Sequence, residues 1–171
     1  MMLAATTLTR SVDTAGVIMG NVAFKQAATR SADCGIEVAI AWLEANGNVS
    51  LYNSNFAQGY AALRQDPGAS QTWDAFWVNA LLPGGQVLSP VQCPGGNTIS
   101  YAIQRLCNAQ GNPNVAGTQC SVAPASTTVG NSMGAGAIAP TNFSSQVYYR
   151  ITARVDGVRS TVSYIQVIIA M

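Results

Sequence analysis

The chain has 171 residues and a mass of 17.8 kDa, the size of one domain with room for a real core. Only 9% of it is charged, with eight Lys or Arg, seven Asp or Glu and a net charge of +1, against about 25% charge in an ordinary soluble domain. That balance creates no field to steer nucleic acid or an acidic membrane surface, and the lack of any His excludes a Ser-His-Asp triad, a Cys-His pair and a histidine metal site.

The charge is replaced by 27 Ser plus Thr, 23 Asn plus Gln and 16 Gly. Uncharged polar residues of this kind suit an outer-surface or secreted protein. Four of the seven acids, Asp13, Asp33, Glu37 and Glu44, fall on one expected helix, and Asp156 falls in a turn. Asp66 and Asp74 alone remain in the middle, a poor supply for the facing carboxylates of a glycosidase. No enzyme activity, catalytic residue, cofactor or metal is expected.

The opening Met1-Met2-Leu3-Ala4-Ala5-Thr6-Thr7-Leu8 is too short for a signal peptide or a membrane span. It reads as the end of an apolar segment, and about 20 further apolar residues are expected upstream in the full gene product. Residues 3–46 read as one long helix. Phe24, Ala28, Ala32, Ile36, Ala39 and Leu43 recur at helical spacing and form an apolar stripe. Arg30, Asp33, Glu37 and Glu44 form a charged stripe, either a solvated face or inter-subunit ion pairs. Gly16, Gly20 and Gly35 weaken such a helix by about 1 kcal/mol each relative to Ala. Asn46-Gly47 is a stop signal, with Gly taking the left-handed conformation. A helix of this span is roughly 65 Å long, more than a compact domain of this mass needs, so part of it is expected to project.

Residues 47–97 read as mixed helix and loop. Ser70 or Thr72 can cap a short helix that carries Trp73, Phe76, Trp77 and Leu81 on one side and ends at Pro83-Gly84-Gly85. Aromatics at that spacing read first as a buried face, and second as a platform for sugars. Val87 and Leu88 suggest a short extended piece, and Cys93 to Asn97 a turn. Thr98 to Leu106 reads as a strand with Ile99, Tyr101 and Ile103 on one face.

Residues 108–145 hold five Gly, three Pro and seven Ala without a charge, a long loop that is either a partner-binding face or a variable connection. Within it Gly134-Ala135-Gly136 lacks the Lys and Ser/Thr of a phosphate loop. Asn48-Val49-Ser50 and Asn142-Phe143-Ser144 fit the glycosylation pattern by chance. After it, Val147, Tyr149, Ile151, Ala153 and Val155 alternate with polar residues up to Asp156-Gly157, a two-residue hairpin signal. A tight turn there pairs Val155 with Val158, Ile151 with Val162 and Tyr149 with Tyr164. It makes Tyr149, Ile151, Val162 and Tyr164 the apolar face for the helix stripe Phe24, Ala28, Ile36 and Leu43. The same register sets Arg154 against Arg159, so a partner carboxylate or solvent exposure is expected there.

The four widely spaced cysteines suit two disulfides in an exported chain. Of the three connectivities, Cys107 with Cys120 is favoured, because the pair brackets the start of the long loop. Cys34 with Cys93 follows by elimination. Buried free thiols in a reducing compartment are the alternative.

Arg10-Ser-Val-Asp13, Gly20-Asn-Val-Ala-Phe24, Ala32-Asp-Cys-Gly-Ile-Glu37 and Ala41-Trp-Leu43 resemble the end of the N-terminal helix of PilX-type minor pilins. Tyr149-Arg-Ile-Thr152, Arg154-Val155, Gly157, Arg159 and Thr161-Val-Ser-Tyr-Ile-Gln166 are similar to the closing hairpin of the same family. The likeness covers about 40 residues at the front and 25 at the back, with scattered likeness around Tyr101-Ala-Ile-Gln-Arg-Leu-Cys107. The family usually reads Gly-Pro-Arg-Asn-Thr after the first hairpin strand, where this chain has Gly157-Val-Arg-Ser-Thr161. The hydrophobic first half of the family's helix, with its prepilin-peptidase site and membrane anchor, has no counterpart in these residues.

The resemblance implies an α+β, pilin-like single domain over residues 1–171. Helix 1–46 packs on an antiparallel sheet in 98–171, which carries a long disulfide-tethered loop over 108–145. It implies a type IV pilus subunit, anchored in the inner membrane with a periplasmic domain and later part of the extracellular filament. Its expected partners are other minor pilins, the major pilin and a tip adhesin, with which it primes or caps assembly and supports adhesion. No nucleic-acid partner is expected. Arg30, Asp33, Glu37, Arg154 and Arg159 are candidate partner contacts. The alternatives are a minor pseudopilin of a type II secretion system, or a carbohydrate-binding module that uses Trp73 and Trp77.

Overall fold

In the computed structural model the described residues are 2–47, 49–91, 93, 96–123, 146–157 and 161–171. A long helix, α1 (Met2–Ala45), opens the chain. A two-residue strand, β1 (Tyr60–Ala61), a helical turn, α2 (Trp73–Phe76), and a short strand, β2 (Leu88–Val91), follow. Three longer strands close the chain: β3 (Thr98–Arg105), β4 (Tyr148–Asp156) and β5 (Val162–Ala170). The fold is therefore α+β.

The sheet is mixed. β3, β4 and β5 are antiparallel neighbours, while β1 runs parallel to β3. β1 and β2 share one edge of β3, β2 beside Ile99 and Tyr101 and β1 beside Ile103 and Gln104. The two pieces meet at Gly59, whose φ of +68° favours glycine. A Cβ there would lie 2.9 Å from the Leu88 nitrogen and 3.0 Å from the Tyr101 oxygen. The sheet thus draws two strands from residues 47–97, beyond the span 98–171 expected to hold it. β1 is too short to carry an alternation signal, and β2 contains Pro90.

Two layers cover the sheet. On one face Ala28, Ala32, Ile36, Ala39 and Leu43 of α1 are buried against Ile99, Tyr101, Ile103, Tyr149, Ile151, Ala153 and Val155. The small residues let the helix come close. A Cβ on Gly35 would meet Ile99 Cγ2 at 2.6 Å, so the glycine that weakens the helix is a point of closest approach to the sheet. α1 ends differently from the expectation. Gly47 is not left-handed; instead Asn46 donates from Nδ2 to the Trp42 carbonyl at 2.8 Å.

On the other face Thr72 caps α2, its Oγ1 accepting from the Ala75 N–H at 3.2 Å. The helix then widens into a π-turn over Trp77–Leu81. Phe76, Trp77 and Leu81 are buried over Ala102, with Tyr164 packed at their side. Two disulfides staple the layers. Cys34–Cys93 ties α1 to the segment after β2, and Cys107–Cys120 closes the turn beyond β3.

The closing hairpin corrects the expected register. Tyr149 pairs with Ile169, Ile151 with Val167 and Val155 with Ser163, a shift of five positions along β5. The connection is no two-residue turn; the Gly157 N–H reaches the Thr161 carbonyl at 2.8 Å. An odd shift turns every β5 side chain over. Ile165, Val167 and Ile169 therefore pack toward α1, while Tyr164 lies on the opposite face and Val162 is 41% exposed. The observed register packs three half-buried β-branched residues against the core and keeps all nine residues of β5 paired. Asp-Gly marks a turn, but the buried apolar area decides its length.

Residues 124–145, 158–160 and 48 lie outside the described residues. With them fall Gly134-Ala135-Gly136, both glycosylation patterns in part or whole, most of the uncharged loop, and Arg159.

Candidate functional site

α1 has two unlike halves. From Ala28 to Leu43 one side of the helix is covered by the sheet, and Phe24, half-buried, reaches Gly157 at the hairpin end. Residues 14–23 are all exposed. Val17 is 65% exposed, Ile18 57%, Met19 75% and Val22 49%. At about 100° per residue these four side chains span more than half of the helix circumference. Gly16 and Gly20, one turn apart, have nothing within 4 Å of the point where a Cβ would sit, so another backbone can approach closely there. A helical extension of this kind gains little stability alone in water. Its apolar surface is suited to packing against further helices. Among the described residues no helix is long and apolar enough to cross a membrane.

The candidate charged contacts do not converge. Arg30, Asp33 and Glu37 are exposed on α1. Arg154 sits on the other side of the sheet, donating to Asp156 Oδ1 at 2.8 and 3.1 Å, with its guanidinium 5.9 Å from the centre of the Tyr164 ring. The residue opposite Arg154 in the ladder is Tyr164, not Arg159 as expected, and Asp156 supplies the carboxylate. Trp77 is 1% exposed and offers no platform to a sugar.

Two arginines that the sequence did not single out as sites organise the domain. Arg105 is 1% exposed. It donates to the carbonyls of Ala62 at 3.1 Å, Leu51 at 3.1 Å and Ala109 at 3.3 Å, joining three separate loops to the end of β3. Tyr60 donates to the same Leu51 carbonyl at 2.7 Å. The only signal for this role was position: Arg105 is the single charge in residues 75–149. Arg150 donates to Asp66 Oδ1 at 2.6 Å, to the Gln65 carbonyl and to Gln104 Oε1, and lies 5.0 Å from the Trp73 ring centre.

Burial pushes the phenols of Tyr60, Tyr101, Tyr149 and Tyr164 above the ordinary tyrosine value. For Tyr60 the neighbouring Tyr149 adds to this and Arg105 opposes it. For Tyr164 the bond that its O–H donates to Asp74, at 2.9 Å, holds the proton further. Among the described residues no cluster of three Cys, Asp or Glu could hold a metal ion. No family model matches the chain, and no curated protein and no solved structure matches it.

Proposed function

We propose that the chain is a minor pilin of a bacterial type IV pilus, a non-enzymatic subunit that acts by packing. The observation that carries the reading is the division of α1: its C-terminal half is built into the domain, and residues 14–23 present large apolar side chains that nothing among the described residues covers. In this role the projecting half packs beside the helices of other minor pilins and the major pilin, while the sheet domain stays at the periphery. The sequence resemblance at both ends of the chain and the two disulfides, suited to an oxidising compartment, support the same assignment. Priming or capping of the filament, and support of adhesion, follow from that position.

The test is made in the host. Surface filaments are sheared from cells that carry the tagged chain, and from a deletion strain. The proposal expects the chain in the filament fraction and fewer filaments in the deletion strain. A chain that never co-fractionates with filaments, and whose loss leaves piliation unchanged, contradicts it.

A further inference from the structure

The two edges of the sheet are built differently. One edge is blunted: β1 has two residues, and β2 has four with a proline and a break in register. The other edge is β5, nine residues paired to β4 without a bulge. Its sequence, Val162-Ser-Tyr-Ile-Gln-Val-Ile-Ile-Ala170, holds no charge and no proline. Among the described residues no strand pairs with its outer side. Natural sheets usually protect such an edge with charge, proline or a bulge.

The hydrogen bonds fix which groups point outward. Met171 and Val147 exchange both main-chain bonds, at 2.8 and 3.0 Å, so the odd-numbered residues of β5 face β4. The N–H and C=O groups of residues 162, 164, 166, 168 and 170 therefore face the open edge.

We infer that the β5 edge pairs with the β5 edge of a second copy, antiparallel, about a two-fold axis at Gln166. In that register Gln166 meets its own counterpart, Tyr164 meets Ile168 and Val162 meets Ala170 on one face. On the other face Ile165 meets Val167 and Ser163 meets Ile169. The pattern reads the same from either end, which is what a two-fold pairing requires. All five outward residues are even-numbered and pair with even-numbered partners. Every outward N–H and C=O then finds a mate, giving ten main-chain bonds, about the number a standard interface carries. Val162, 41% exposed, and Ile168, 60% exposed, each gain an apolar neighbour across the seam, and no like charges meet. The two copies of α1 project from opposite ends of the pair. This inference does not depend on the pilus assignment.

Sedimentation of the full chain up to high micromolar concentration, with two kinds of variant, tests it. The N–H of Ile168 faces outward, so Ile168→Pro removes an edge donor and spares the ladder to β4. It should weaken the dimer roughly tenfold or more with the circular-dichroism spectrum unchanged. Ile168→Lys, which keeps the backbone intact, should also weaken it if the proline variant proves unstable. Self-pairing at the axis places the two Gln166 Cα atoms about 5.5 Å apart, within disulfide reach. Gln166→Cys should therefore form a covalent dimer on mild oxidation much faster than Ile168→Cys. A strictly monomeric chain overturns the inference. So does a dimer indifferent to both Ile168 variants, which would place the contact elsewhere, for example on residues 14–23. Equal cross-linking from positions 166 and 168 overturns the two-fold register, and capture of a different extended strand by a monomeric chain overturns self-pairing.

Discussion

The two halves of α1 are one continuous helix, yet they use apolar residues in opposite ways. The packed half meets the sheet with Ala28, Ala32, Gly35 and Ala39 and with two large residues, Ile36 and Leu43, all buried against Ile99, Tyr101, Ile103 and Ile151 of the strands. The projecting half carries Val17, Ile18, Met19 and Val22, large residues with no surface cut to receive them. On the packed half the apolar residues keep to one stripe that the sheet covers. On the projecting half they spread around the helix and stay exposed, and the proposed role supplies a partner for them outside the domain.

The comparison predicts that the packed half fails when its supports are removed, and that the projecting half is indifferent to the same treatment. Arg105→Met should have the largest effect. It strips the buried Ala62 carbonyl and the part-buried Ala109 carbonyl of this donor and leaves the Leu51 carbonyl to Tyr60 alone; at about 1–3 kcal/mol for each unsatisfied group, with the lost charged hydrogen bond to Leu51 added and relaxation subtracted, the loss should be about 3–5 kcal/mol. Urea unfolding monitored by Trp fluorescence reads it. Replacing Cys34 and Cys93 together by Ala opens a loop with a sequence separation of 59 and should cost about 4 kcal/mol on the loop-entropy model. The same change at Cys107 and Cys120, separation 13, should cost about 3 kcal/mol. Reversing that order would mean that the tie between α1 and the sheet matters less than the packing suggests.

Alkali acts on the same region. The four raised phenols stay protonated in the fold, and the unfolded chain ionises at an ordinary value of 10.0. The stability they contribute is therefore complete below about pH 10. It is lost as the pH rises beyond that and through their folded values. Absorbance at 295 nm should show these tyrosines titrating late and together with unfolding. Early, reversible ionisation of all six tyrosines in the folded chain would contradict the burial of Tyr60 against Trp42 and of Tyr149 beside Tyr60.

The smallest effects separate the halves most sharply. Ala32 is fully buried, so Ala32→Leu overpacks the interface and should cost about 1–3 kcal/mol. Val17→Asp on the projecting half should change the stability of the chain by no more than about 0.5 kcal/mol. Equal costs at both positions would abolish the distinction.

What is legible in the sequence follows the same division. The stripe from Phe24 to Leu43 is readable because a helix on a sheet repeats at a fixed period, and the expected excess length of the helix matches the exposure of residues 15–23. Thr72 and the aromatics after it are readable because capping is local. The hairpin register is not. Asp156-Gly157 is a strong local signal, but Ile165, Val167 and Ile169 gain more by reaching the core, and the chain takes a longer connection to put them there. Val162 and Tyr164 leave the face expected of them for that one reason. β1 and β2 are too short for any period. The role of Arg105 depends on Leu51, Ala62 and Ala109 arriving from three loops, which no spacing along the chain encodes.

The central claim is that residues 14–23 are an assembly surface. Its most direct test is a photocrosslinking side chain placed at Met19 in the host, with a second placed at Ala41, an exposed position on the packed half. The account predicts that Met19 crosslinks to another pilin subunit within the sheared filament fraction, and that Ala41 does so weakly or not at all. Crosslinking from Ala41 with none from Met19 would contradict it.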